Sequence, residues 1–261
     1  MDYLQVAAGA LTGLVVGMTG VGGGALMTPI LLLAFGTSPV VAVGTDLWFA
    51  AFTKLAVAGL HVRQRLIDWP VVRRLWMGSL PSSALTLLWM ANQRADDGSV
   101  ALVRTAIALA VCLTATSLLA DRPLRALGAR FSLLTAAPSH AGWTSPATIA
   151  AGAVLGVLVT LTSVGAGALG AVMLVYLYPR LTPQRLVATD IAHAIPLALC
   201  AGAGHLAIDR VDFALLRDLL AGSIPAALVG VAVASRMPHA VLRMALGAVL
   251  LVIGLTMLVA L

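Results

Sequence analysis

The chain has 261 residues, of which 61% are hydrophobic and 10% charged, and its mean hydropathy is +1.02. So little charge cannot coat a soluble globule of this size, which excludes an ordinary soluble fold and makes the bilayer the solvent. Sixteen basic against ten acidic side chains leave a formal charge of +6, which reads as arginine distributed around membrane spans rather than as a nucleic-acid surface.

In chain order, Tyr3 to Thr45 carries no charged side chain, and only Asp2 precedes it in place of the basic region of a signal peptide, so it is expected to stay in the mature protein. Within it, the segment 3–36 is interrupted by Thr19-Gly20-Val21-Gly22-Gly23-Gly24. That pattern predicts two short helices of about 15 residues meeting at a glycine-rich break, each rising about 22 Å and together able to form a re-entrant hairpin. Apolar windows then predict full-length helices at about 40–60, 71–91 and 100–120. After an arginine-bearing linker, 121–146, the uncharged segment 147–179 repeats the pattern around Thr162-Ser163-Val164-Gly165-Ala166-Gly167, and further spans follow at about 185–207, 214–235 and 240–260.

Arg63, Arg65, Arg73 and Arg74 in one loop, and Arg122, Arg125 and Arg130 in the linker, place both on the cytoplasmic side. Loops with balanced charge, after Met90 and from Asp209 to Asp218, belong outside, and both termini then face outward. Cys112 and Cys200 are isolated in apolar runs and read as small buried residues.

A shift of 144 residues superposes Pro39 on Pro183, Thr45-Asp46 on Thr189-Asp190, His61 on His205, Asp68 on Asp212 and Gly78-Ser79-Leu80-Pro81 on Gly222-Ser223-Ile224-Pro225. A shift of 143 superposes the two glycine-rich breaks. The chain therefore reads as a tandem duplication, 1–120 and 147–261 joined by 121–146. Because the loop at Asp68 reads as inside and that at Asp212 as outside, the halves have opposite orientation. The expected fold is an all-α integral membrane protein of two inverted repeats, each a broken-helix pair plus three transmembrane helices.

Broken helices expose backbone N–H groups and the positive end of the following helix, which makes Thr19, Gly20, Gly22, Gly23 and Gly24, with Ser163, Gly165 and Gly167, candidates for binding an anion. Close helix packing is the structural alternative for the glycines. Asp46 and Asp190 lie about 9 Å inside their spans, where an ionised carboxylate requires pairing or hydration. Thr45 and Thr189 precede them and offer hydroxyls. Lys54, about 80° round the helix from Asp46, can neutralise an anion or pair with either aspartate. His193, one turn after Asp190, can relay protons or serve as a structural partner. His61 and His205 fall at the membrane-facing ends of equivalent spans, as interfacial anchors or, functionally, as gates. No spacing suits a metal, no Gly-Lys-Ser/Thr ending makes a P-loop, and no cofactor is expected.

GMTGVGGGALMTP, GTDLWFAAFTK, RQRLIDWPVVRRL, TSVGAGALG and ATDIAHA together resemble the TauE/SafE, or sulfite exporter, family of anion transporters over nearly the whole chain. The resemblance implies an inner-membrane transporter of sulfite or organosulfonate-type anions, often outward. Family members vary in whether Ser or Asp follows Thr45 and Thr189; aspartates there repel an anion unless protonated or offset by Lys54, so a coupled proton would reconcile them with the substrate. The expected partners are a small anion and the bilayer, with a homodimer left open and no nucleic acid. An anion channel is the nearest rival function, and an intramembrane enzyme, lacking a nucleophile or metal set, a more distant one.

Overall fold

The computed structural model describes residues 2–19, 24–63, 66–92, 97–120, 144–165, 167–178, 180–234 and 239–259. Among them the chain is all-helical. The helices are α1 (Tyr3–Thr19), α2 (Gly24–Leu33), α3 (Pro39–Arg63), α4 (Trp69–Asn92), α5 (Asp97–Leu119), α6 (Thr144–Thr162), α7 (Ala168–Leu177), α8 (Pro183–Ala207), α9 (Phe213–Ala234) and α10 (His239–Val259).

Local chemistry sets the ends. Thr182 caps α8, its hydroxyl accepting from the Arg185 N–H at 3.4 Å, with proline in the first turn. Asp68 and Asp212 cap α4 and α9, their carboxylates accepting from the Val71 and Leu215 N–H groups at 3.4 and 3.0 Å. Gly36, at φ 62°, closes α2 as the Thr37 N–H donates to the Leu31 carbonyl at 3.0 Å.

All six further helices expected from the sequence are present within a few residues, and among the described residues four of them are long and apolar enough to cross a bilayer, α4 and α10 not being among these. The broken segments differ from expectation: each is a long helix followed by a short one, 17 and 10 residues in the first half and 19 and 10 in the second, instead of two of about 15. Ser145–Thr162 is long and apolar enough to cross a bilayer, as are Pro39–Ala58, Val100–Leu119, Gln184–Ala207 and Phe213–Val233. Ten residues rise only about 15 Å, so α2 and α7 are half-helices.

The long members cross over to the other half. Gly9, Gly13 and Gly17 of α1 meet the backbone of Leu219, Ser223 and Ala227 of α9, so these helices run parallel with backbones in contact. Gly152 and Gly156 of α6 meet Leu75 and Ser79 of α4 in the same way. Equivalent helices run antiparallel: the Trp48 indole N–H of α3 donates to the Gly202 carbonyl of α8 at 3.0 Å while Gly44 meets His205 and Arg210, and Gly247 and Gly254 of α10 meet Leu119 and Cys112 of α5.

Burial is inside out relative to a soluble protein. Asp46, Lys54, Asp190, His193 and His205 are at most 2% exposed, whereas Leu85, Leu88, Leu109, Leu113, Val249, Val252 and Leu255 are open at the surface. An apolar exterior around a polar interior is the distribution lipid selects.

Candidate functional site

Polar side chains from both halves converge between α2, α3, α7 and α8. Thr28, on the half-helix α2, donates its hydroxyl to Asp46 on α3 and also lies 3.4 Å from the Thr162 carbonyl at the end of α6. The first half-helix therefore meets the second half's break at one residue. On the other side, a Cβ on Gly170 of α7 would collide with the Asp190 carboxylate, so glycine lets that carboxylate lie against the half-helix.

The second break is described in detail. Ser163 has φ 56°, Gly165 φ 123° and Gly167 φ 144°; the first is a left-handed conformation in which a serine is uncommon. The Thr162 hydroxyl holds the turn, accepting from the Val164 N–H at 3.1 Å and donating to the Leu158 carbonyl at 2.6 Å. No side chain caps α7, which leaves its positive end available to a ligand. The Ser163 hydroxyl faces Asp46 without completing a hydrogen bond.

Lys54 interacts electrostatically with both Asp46 and Asp190. One ammonium thus lies within electrostatic reach of two carboxylates, and one oxygen of each carboxylate, Oδ1, accepts no hydrogen bond among the described residues. His193 adjoins this set: its Nε2 is 2.9 Å from Ser79 Oγ, its backbone carbonyl accepts from the Trp76 indole at 3.2 Å, and its Nδ1 is buried without a partner. In low dielectric, incompletely satisfied charges of this kind demand compensation by a ligand or a proton.

The structure thus brings together Lys54, Asp46, Asp190, His193 and the second break with Ser163, Gly165 and Gly167. Thr19 is buried at the end of α1, donating to the Val15 carbonyl at 2.7 Å. Gly20, Gly22 and Gly23 lie outside the described residues, and Gly24 opens α2. Thr45 and Thr189 are engaged elsewhere: their hydroxyls accept from the Asp212 and Asp68 N–H groups, each at 3.0 Å, so each tethers the capping residue of the other half's fourth helix. The residue before the aspartate is rotated about 100° from it, which turns the two side chains to different neighbours.

His205 departs from the expected interfacial anchor, because it is wholly buried and donates from Nε2 to the Thr160 carbonyl at 2.9 Å. The close approach of α8 to Gly44 of α3 carries this end of the helix into the bundle. His61 lies in α3, with its side chain outside the described residues, as are linker residues 121–143.

Thr28, Ser79 and Gly170 join the site without having been singled out in the sequence. Ser79 lies in the repeated Gly-Ser-Leu/Ile-Pro motif, which was a usable signal, whereas Thr28 matches Ala171 in the second half and so escapes a comparison of repeats. A crevice of about 760 Å3 lies apart from the cluster, lined by Asp2, Gln5, Thr37, Asp212 and Asp218 among others. Its carboxylates make it a poor seat for an anion.

The family described as sulfite exporter TauE/SafE matches residues 5–257. The chain is similar to "Probable membrane transporter protein YjnA" of Bacillus subtilis (strain 168), at 35% identity over 98% of this chain and 99% of that one. It is also similar to "Probable membrane transporter protein YunE" of the same organism, at 24% identity over 96% and 95%. No solved structure matches the chain significantly. Matched over nearly its whole length, this multi-pass membrane chain belongs to the sulfite exporter TauE/SafE family, a family of membrane transporters rather than enzymes.

Proposed function

We propose that the chain is a secondary transporter of small anions, with sulfite or a short organosulfonate as substrate, bound near the midplane beside Lys54 and the start of α7. The single observation that carries this reading is the buried lysine facing two incompletely satisfied aspartates next to an uncapped half-helix. A lysine and a helix N-terminus supply what an oxyanion needs, and small residues at the break let it approach. The sulfur class of the substrate is supported by the family's description.

Charge counting supports proton coupling. With Asp46, Asp190 and Lys54 all ionised the cluster is negative, and a bound monoanion deepens the imbalance, so protonation of a carboxylate accompanies binding. The antiparallel course of equivalent helices supports an inverted repeat, in which one half moves against the other to alternate access. Arginine placement supports an inner-membrane orientation with both termini outside and the linker in the cytoplasm.

Reconstituted protein is expected to accumulate sulfite or a sulfonate saturably, with exchange stimulated by substrate on the far side. Unitary currents in place of saturable exchange would overturn the carrier in favour of a channel. Asp46→Asn and Asp190→Asn are expected to flatten the pH response between about pH 5 and about pH 8, and an unchanged response in both variants would remove the proton role.

A further inference from the structure

Beyond the central cluster, an unusual number of polar side chains are buried along the faces where α4, α6 and α8 meet. Ser79, Ser83, Thr160, His193 and His205 are all 0% exposed. Ser79 Oγ is 2.9 Å from His193 Nε2, the Thr160 hydroxyl is 2.7 Å from Ser83 Oγ, and the Thr160 carbonyl accepts from His205 Nε2 at 2.9 Å. Ser79 and Ser83 are one helical turn apart on α4, a rise of about 6 Å that one water can bridge. The file leads from Asp190 and His193 to the end of α8, where the half-buried Arg210 follows, on the face opposite to Arg180 and Arg185 at the start of that helix.

The corresponding route in the other half keeps a histidine, His61, as the counterpart of His205, but three of its inner positions are apolar. At the positions related by the repeat, His193 is replaced by Phe49, Ser83 by Ala227 and Thr160 by Gly17, and Gly17 meets the Ala227 backbone directly. Ser223, the counterpart of Ser79, is occupied instead by the Thr53 hydroxyl at 2.7 Å. A structural need for polar side chains along these faces would have applied to both halves, because the same pairs of helices pack in each.

The file is also too narrow for an oxyanion. A Cβ on Gly156 would collide with the Ser82 hydroxyl and the Ser79 backbone, and one on Gly152 with Leu75, so α4 and α6 touch backbone to backbone and leave no room for an oxyanion between them. Lys54 is the charge that acts on His193, with Asp190 one turn away on its own helix; Arg210 is the charge that acts on His205. Because the Thr160 carbonyl can only accept, His205 carries its proton on Nε2 when neutral, and the buried Nδ1 is the site left to take another.

We infer that Ser79, Ser83, Thr160 and His205 form a one-sided proton-access file connecting the Asp190–His193 pair to the membrane face where α8 ends. One proton enters from that face and converts the Asp190 carboxylate to its acid, and once the halves have alternated it leaves with the anion through the site opened to the opposite face. Ser83, Thr160 and His205 act as positioning residues apart from the anion site, and Ser79 links them to His193. The inference rests on the proposed proton-coupled transport.

The test separates net transport, in which the empty carrier must gain or lose its proton, from sulfite–sulfite exchange, in which the loaded carrier returns with its proton in place. In proteoliposomes with a trapped pH indicator, Ser83→Ala and Thr160→Val are expected to slow sulfite-driven proton movement by about tenfold, with exchange changed less than about twofold. Thr160→Ser, which keeps the hydroxyl, is expected to restore proton movement, and Ser223→Ala in the other half to leave both rates as they are. Unchanged exchange also certifies that the variants fold. If proton movement and exchange fall together, or neither falls, the file is overturned. Wild-type vesicles that exchange no sulfite or sulfonate overturn the transport reading itself, and wild-type exchange without coupled protons overturns its proton component.

Discussion

The two halves of this chain hold the same aspartate in unlike surroundings. Asp46 receives a hydroxyl from Thr28 of its own half-helix, whereas Asp190 lies against Gly170 without such a hydroxyl, and Ala171 stands where the first half has Thr28. Lys54 belongs to the first half and is matched by Ala198; His193 belongs to the second and is matched by Phe49. The matched positions lie on corresponding helices, and the few that differ make the charge cluster asymmetric. In the proposed inverted repeat, such differences give a bound anion distinct contacts from each half.

The largest expected effect breaks that cluster. Lys54→Met leaves two buried carboxylates without their cation, at a cost of about 3–5 kcal/mol unless both take up protons. Anion flux in proteoliposomes should fall at least about 100-fold. A thermal-shift measurement should show part of the lost stability regained in the Lys54→Met/Asp190→Asn double variant. Retained flux in Lys54→Met would break the comparison at its centre.

Thr28→Val tests the hydroxyl that only one aspartate receives. A hydrogen bond to a charged group in a buried site is worth about 1.5–3 kcal/mol, and the loss should appear as a lower melting temperature. Ala171→Thr is the reciprocal change and should leave stability equal or raise it if the substitution alone distinguishes the halves. Gly170→Ala should cost about 1–3 kcal/mol and reduce flux, because its methyl group enters the space of the Asp190 carboxylate.

The smallest effects sharpen the symmetric part. Thr45→Ala and Thr189→Ala each remove one hydroxyl from the capping residue of the opposite half, and each should cost about 1 kcal/mol in melting experiments. Their near equality is the prediction; a clear inequality would mean that the two caps are not equivalent despite their matching 3.0 Å bonds.

Much of the frame was legible beforehand. The helices from Pro39 onward follow from apolar windows bounded by Pro39, Asp68, Pro183 and Asp212, since chain ends and caps are local chemistry. Asp46, Lys54, Asp190 and His193 were legible as candidates because a charge or imidazole within a span is costly wherever it points. Orientation was not. Thr45 and Thr189 adjoin the aspartates in sequence yet serve the opposite half's caps, and His205, near a helix end, is buried by the packing of α8 on α3. The unequal lengths of the broken helices also escaped the apolar pattern, because hydropathy is uniform across both members and does not say where a glycine-rich segment resumes its helix.

What the amino-acid order determined by itself was the solvent, the positions of the six longer helices outside the broken segments, the paired motifs and the few ionisable residues placed within apolar spans. Each depends on composition, on period or on a local cap. Only the tertiary structure decided that Lys54 faces both aspartates, that Thr28 joins Asp46 to the second break, and that the polar faces of α4, α6 and α8 meet in one half while their counterparts are closed by Phe49, Ala227 and Gly17. Those relations depend on which helix faces which across sequence separations of more than 100 residues, and backbone contacts at small residues settle them where uniform hydropathy cannot.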